Sequence, residues 1–159
     1  MKRDAQGFSL IELLIVVAII LVIAAIAIPS LLRSRIAANQ ASAVQTLRMI
    51  TTAETTYAST YNLGYCQTLA YLGPPTSGNP TSVAAGLIDS LVVSGVKSGY
   101  SFVYSAGPTD GNGKVNIYQV TANPVSDASG TLYYFTDNSG VIRQNSTAVA
   151  SSTDSPIGG

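Results

Sequence analysis

An uninterrupted apolar segment near the start of the chain constrains the fold more than any other feature. Between Phe8 and Ile28 only Ser9 and Glu12 are polar, and Pro29 follows directly. At about 1.5 Å per residue, a helix over this segment is about 31 Å long, which is close to the roughly 30 Å hydrocarbon core of a bilayer. The sequence therefore predicts a membrane-spanning helix over residues 8–29.

Glu12 is an ionisable residue inside this apolar segment. A carboxylate in such a position costs about 2.5–3.5 kcal/mol on insertion scales, so it is a functional hypothesis by default. No opposite charge lies on the neighbouring helical turns. The nearest candidate is a terminal amine, which cleavage between Gly7 and Phe8 would create. Such an amine could face Glu12 of another chain if subunits pack side by side with a stagger.

The residues around Glu12 carry a resemblance to a known family. The sequence Gly7-Phe8-Ser9-Leu10-Ile11-Glu12 follows the short basic leader Met1-Lys2-Arg3 and precedes the apolar run. It resembles the cleavage and methylation signature of type IV pilins and type II secretion pseudopilins. The resemblance implies that a prepilin peptidase removes residues 1–7 and that Phe8 becomes the N-methylated terminus. It also implies that Glu12 pairs with the terminal amine of a neighbouring subunit.

The resemblance also implies a function and a location. Members of this family are structural subunits rather than enzymes, and they polymerise into helical homo-oligomeric filaments with the help of an inner-membrane assembly platform. The precursor is then expected to cross the bacterial inner membrane once, with its N-terminus in the cytoplasm. The assembled subunit would lie either in a surface pilus, for adhesion, twitching motility or DNA uptake, or in a periplasmic secretion pseudopilus.

Three other interpretations of the apolar segment stay open. It could be a secretory signal peptide that is cut after Ala25-Ile26-Ala27, although the run is longer than such segments usually are and contains Glu12. It could be an uncleaved signal anchor. The chain could also be a membrane-anchored binding module that keeps its leader and never assembles.

Charge and composition exclude several classes of chemistry. The formal net charge is zero and 10% of residues are charged, which offers no broad electrostatic attraction to nucleic acid. There is no histidine, and Cys66 is the single cysteine, so an internal disulfide and a catalytic histidine are excluded. We expect no cofactor and no enzymatic activity. Cys66 is interpreted as a buried apolar residue, with a free thiol or an intermolecular bridge as alternatives.

The helical pattern continues beyond Pro29 as an amphipathic segment over residues 30–61. Neither glycine nor proline interrupts it, and one long helix, kinked at Pro29, is favoured over a helix that ends there. Apolar residues recur at spacings of three, four or seven, which is typical of one buried helical face. These residues are Ile36, Ala43, Leu47, Ile50 and Tyr57.

A connecting region and a small sheet are predicted for the rest of the chain. Residues 62–98 are interrupted by glycines and prolines, with a possible short helix over Val83–Val93 whose Leu87, Ile88, Leu91 and Val92 pack inward. Alternating apolar residues predict an antiparallel sheet of three to four strands within residues 99–144. The predicted strands lie around Tyr100–Tyr104, Val115–Val120 and Leu132–Phe135, with a fourth starting at Val141. The fold class is therefore α+β, with the long kinked helix packed on this sheet, and the resemblance implies the same pilin-like arrangement.

Two smaller expectations concern the polar segments. Residues 145–159 are predicted to form a solvated or frayed tail. Within it, Asn145-Ser146-Thr147 matches a glycosylation sequon that is more readily explained by chance. Asp110, Asp127 and Asp137 all fall in turns, where aspartates usually cap backbone amides. If these turns converged, the three carboxylates could bind calcium, but no dense calcium-loop signature is present.

Overall fold

Helix α1, Leu10–Tyr61, is 52 residues long and contains Pro29. The computed structural model describes residues 8–158, and the chain divides after Arg35 into two units. The first unit holds the apolar start of α1, and the second holds the remainder of α1 with all of the strands. The prediction of one long N-terminal helix that includes the proline is confirmed.

The second half of α1 buries one face, as its sequence period predicts. The buried face extends from Ala43 to Tyr57, whereas Ile36 is only partly buried. Residues three and four apart lie on the same side of a helix, so a single stripe can enter the core. The buried positions are Ala43, Thr46, Leu47, Ile50, Ala53, Glu54 and Tyr57.

The region between α1 and the sheet is less helical than predicted. It contains a 3₁₀ turn, Leu69–Leu72, and helix α2, Ser90–Val93. Helix α2 begins after Asp89, whose side chain accepts a hydrogen bond from a backbone N–H of the first turn. The expected helix over Val83–Val93 is therefore too long. The inward packing expected of Leu91 is also wrong, because this side chain is 63% exposed.

The strands form one antiparallel sheet in which spatial order follows chain order. Each strand pairs with the next along the chain, as short connections without crossover helices require. The strands are β1 Val96–Lys97, β2 Tyr100–Ala106, β3 Tyr118–Pro124, β4 Tyr133–Asp137, β5 Arg143–Asn145 and β6 Ser155–Pro156. The predicted meander is confirmed.

The sheet has six strands rather than the three to four predicted. Strands β1, β5 and β6 contain only two or three residues, which is too short for alternation to be visible in the sequence. The strand predicted to begin at Val115 begins instead at Tyr118. Val115 makes isolated bridges to Gly64 and Thr109, so it ties the loop after α1 to the loop between β2 and β3.

The C-terminal segment is folded, although most of its side chains are exposed to solvent. Strand β6 pairs with β5, Ala150 is 3% exposed, and the Ile157 N–H donates to the Ile142 carbonyl at 2.9 Å. Its serine, threonine and aspartate side chains form hydrogen bonds with one another. A composition rich in these residues is equally typical of a disordered tail, so composition alone did not predict this structure. The segment is therefore exposed to solvent, as one alternative predicted, but its backbone is paired and not frayed.

One hydrophobic core joins the inner face of α1 to the sheet. Alternate residues of β2 and β3 are buried against it, including Tyr100, Phe102, Val120 and Ala122. A hydrogen bond at the edge of this core also joins α1 to the loop between β3 and β4, because the Asn39 side-chain amide donates to the Ser129 carbonyl at 3.0 Å. The α+β class is confirmed.

Candidate functional site

The apolar start of α1 presents its side chains outward. Phe8 is 84% exposed, and each large apolar side chain from Leu10 to Ile28 is between 45% and 80% exposed. None of the most apolar 18-residue window is buried, and α1 is long and apolar enough, by length and composition, to cross a membrane. An apolar surface of this extent marks an interaction with lipid or with other protein.

Glu12 caps the start of α1. The Ser9 backbone N–H donates to Glu12 Oε2 at 2.9 Å, and the Leu13 N–H donates to the Ser9 carbonyl at 3.3 Å. Serine followed three residues later by glutamate is the pattern of a capping box, in which the glutamate satisfies a backbone donor at the helix start. Its negative charge also interacts favourably with the N-terminal end of the helix dipole.

The capping bond was missed by the sequence reasoning. The signal was available as Ser9-x-x-Glu12 directly before an apolar run, but the glutamate was interpreted only through its lack of a charged partner. Within one chain the carboxylate has an amide partner and, among the described residues, no cationic one.

Of the other residues predicted to be functional in this segment, the structure describes Phe8 and Pro29. Phe8 lies two residues before the first residue of α1. Gly7 and the rest of the predicted leader lie outside the described residues. Pro29 is inside α1, where it cannot donate the usual backbone hydrogen bond; the kink at this position stays a prediction.

The structure does not bring the three turn aspartates together. Among residues 8–158, no group of three or more histidine, cysteine, aspartate or glutamate residues is placed to hold a metal ion. Asp110 Oδ1 accepts the N–H groups of Asn112 and Lys114 at 2.8 and 2.9 Å, and Asp137 Oδ1 accepts the Ser139 N–H at 2.9 Å. These two aspartates therefore cap their own turns.

Comparisons with known proteins place this helix in a family. A family model described as the prokaryotic N-terminal methylation motif matches residues 2–28. The type IV wide pilus major component PilA4 of Thermus thermophilus is 33% identical over 131 residues, which cover 78% of this chain and 98% of the relative. The chain belongs to the type IV pilin family. No solved structure gave a significant match.

The relationship of this pilin to its relative is not confined to the methylation motif. An alignment of 131 residues is much longer than the 2–28 match, so it extends well into the second unit, residues 36–159, which we call the globular unit. The resemblance stated from the motif is therefore confirmed, and the pilin is a structural subunit by family.

Cys66 of this pilin is a free cysteine and is fully buried. The prediction of a buried side chain is confirmed, but its surroundings are not purely apolar. The carboxyl of Glu54, on the inner face of α1, is buried beside it. Sequence reasoning missed Glu54. A visible signal was its position four residues after Ile50 and three before Tyr57, which places a glutamate on the predicted apolar stripe.

Proposed function

We propose that this pilin is cleaved after Gly7, methylated at Phe8, and polymerised through the apolar start of α1 into a helical filament. The observation that carries the proposal is the exposure of every large apolar side chain from Leu10 to Ile28. Burying one such side chain contributes about 1.5–3 kcal/mol relative to water. The segment is therefore stable in only two environments, lipid before assembly and neighbouring helices after it.

Packing and charge then decide how neighbouring helices align. Lipid tails are about as apolar as leucine, so leaving the bilayer gains little from the hydrophobic effect alone. A positively charged N-terminus facing Glu12 of a neighbour would fix the register, because an unpaired charge among apolar helices is strongly disfavoured. Among the described residues of the single chain, Glu12 accepts a hydrogen bond only from the Ser9 N–H. Its Oε1 atom therefore remains able to accept a hydrogen bond from an ammonium group.

The relative supports a pilus over a secretion pseudopilus. It is named as a major component of a type IV wide pilus, and we propose a pilus subunit of the same kind here. The precursor would span the inner membrane with a cytoplasmic N-terminus, meet a prepilin peptidase and an assembly platform, and finish at the cell surface. The homo-oligomeric filament would be its principal partner.

Mass spectrometry of the N-terminus tests the processing step. N-methylated Phe8 is the expected terminus of purified protein. An intact leader would support the non-assembling anchor instead, and a terminus at Ile28 would support a secreted protein that has lost its anchor. Either of these results contradicts the proposal.

Two substitutions at Glu12 separate its charge from its capping bond. Glu12→Val removes both, whereas Glu12→Gln keeps an oxygen that can accept the Ser9 N–H and removes only the charge. Both variants should be processed and held in the membrane, and both should be absent from sheared filaments if the charge pair decides assembly.

The same pair of variants can overturn the pairing hypothesis. Normal filaments from Glu12→Val would refute it outright. Normal filaments from Glu12→Gln but none from Glu12→Val would assign the residue's role to the helix cap. Electron microscopy and immunoblots of sheared filaments measure both outcomes.

A further inference from the structure

Glu54 and Cys66 form a buried pair inside the globular unit. Both residues are 0% exposed. Glu54 Oε2 accepts the Cys66 backbone N–H at 2.9 Å, and Glu54 Oε1 lies 2.8 Å from Cys66 Sγ. Both carboxyl oxygens of Glu54, which lies on α1, thus contact Cys66 in the loop that follows the helix.

The backbone around Cys66 is held from two further directions. The Tyr104 hydroxyl, on β2, donates to the Cys66 carbonyl at 2.7 Å. One residue earlier, the Tyr65 N–H donates to the Val115 carbonyl at 2.8 Å. The loop after α1 is therefore attached to the helix, to β2 and to the loop before β3, with the Glu54 carboxyl in the centre.

In the part of the chain that the structure describes, no positive charge accompanies the buried carboxyl. The ionisable groups around it are Cys66 from the loop, Tyr57 from α1, Tyr104 from β2 and Tyr118 from β3. Within residues 8–158 the structure contains a single ion pair, and it joins other residues. A buried carboxylate without a cation is expensive, so such a group tends to take up a proton.

The electrostatics of the pair agree with this geometry. Burial raises the pKa of Glu54, and the two hydrogen bonds from Cys66 oppose that shift only in part. Burial and the neighbouring Glu54 also raise the pKa of the Cys66 thiol. A protonated Glu54 keeps both contacts, because Oε2 can accept the N–H while Oε1 and Sγ share the other contact through a proton.

We propose that Glu54 and Cys66 form a proton-dependent latch that holds the loop after α1 against the helix. With Glu54 protonated, the latch is closed and the thiol is shielded from oxidants and from intermolecular disulfides. When Glu54 releases its proton to solvent, a bare carboxylate remains in the core and the loop opens more readily, exposing Cys66.

The direction of the pH dependence follows from linkage. Because the pKa of Glu54 is higher in the folded than in the unfolded chain, its contribution to stability is present below the unfolded pKa and is lost as the pH rises through the folded value. An exposed aspartate whose pKa is lowered in the folded chain changes stability with pH in the opposite direction. The N–H of Val92 lowers the pKa of Asp89, so its contribution is lost as the pH falls.

The test measures how fast iodoacetamide alkylates Cys66 in full-length protein in a nonionic detergent between about pH 5 and pH 8. Each rate is divided by the rate for urea-unfolded protein at the same pH, which removes the ordinary effect of thiol ionisation. The protection of wild-type Cys66 should fall as the pH rises, by up to about tenfold for each unit by which folding raises the Glu54 pKa.

Two variants make the result specific to the latch. Glu54→Gln should show protection that varies little with pH and exceeds that of wild type at about pH 8. Asp89→Asn removes an exposed carboxylate that does not contact Glu54 or Cys66. It should retain the wild-type decrease in protection, because the lowered pKa of Asp89 places its own titration below the pH range of the assay. Wild-type protection that stays constant or increases with pH would overturn the proposal, and this arm is informative even if Glu54→Gln fails to fold. Lower protection in Glu54→Gln than in wild type at about pH 8 would overturn it as well.

Discussion

Leu47→Ala tests whether the inner face of α1 is the main source of stability in the globular unit. Leu47 is 0% exposed and belongs to the core shared with the sheet. Removing three carbons at about 0.8 kcal/mol each loses about 2.4 kcal/mol of transfer free energy. The residual cavity brings typical losses to about 2.7–5.0 kcal/mol, and the better helix propensity of alanine recovers only a few tenths. We expect the free energy of unfolding to fall by about 3 kcal/mol.

Leu91→Ala is the matched control, because Leu91 is also helical but is 63% exposed. It should change the free energy of unfolding by no more than about 0.5 kcal/mol. Urea unfolding of the full-length protein in nonionic detergent, followed by the near-UV circular dichroism of its tyrosines, measures both variants. With a urea slope of about 1–3 kcal/mol/M, the Leu47→Ala midpoint should fall by about 1–3 M. Equal losses from the two variants would refute the packing argument.

Two further predictions concern the loops. Gly64→Ala should destabilise the unit more than Gly78→Ala by at least about 1 kcal/mol in the same urea assay. Both glycines have positive φ, but an added Cβ would collide with the Val115 carbonyl oxygen only at residue 64. Equal losses would show that this close approach is not significant. Asn145 should carry no glycan, because its amide donates to Asp154 Oδ1 at 2.8 Å, and a glycopeptide containing Asn145 in a tryptic digest would contradict this assignment.

The bond between Ser9 and Glu12 changes how loss of Glu12 should be interpreted. A variant that fails to assemble could lack the intersubunit charge pair or could start its helix poorly. Losing a capping interaction costs about 0.5–2 kcal/mol, enough to fray the first turn where the neighbouring N-terminus would have to bind. The comparison of valine with glutamine at this position is therefore essential to the filament experiment.

The sequence by itself determined the features that depend on local pattern. The 8–28 apolar run, the motif around Gly7 and Phe8, and the stripe from Ala43 to Tyr57 are all readable because a helix repeats every 3.6 residues and a processing motif is contiguous. The α+β class followed from the change to alternation after residue 99. These features are sufficient to identify the family and to propose the function.

Only the tertiary structure decided which distant residues meet. Strands of two or three residues have no readable period, so β1, β5 and β6 form because their neighbours offer unpaired backbone groups at the sheet edge. The pairing of Glu54 with Cys66 depends on how the loop after α1 returns to the helix, and Val115 holds that loop in place. Contacts of this kind arise from packing between remote segments, and a one-dimensional pattern carries no record of them.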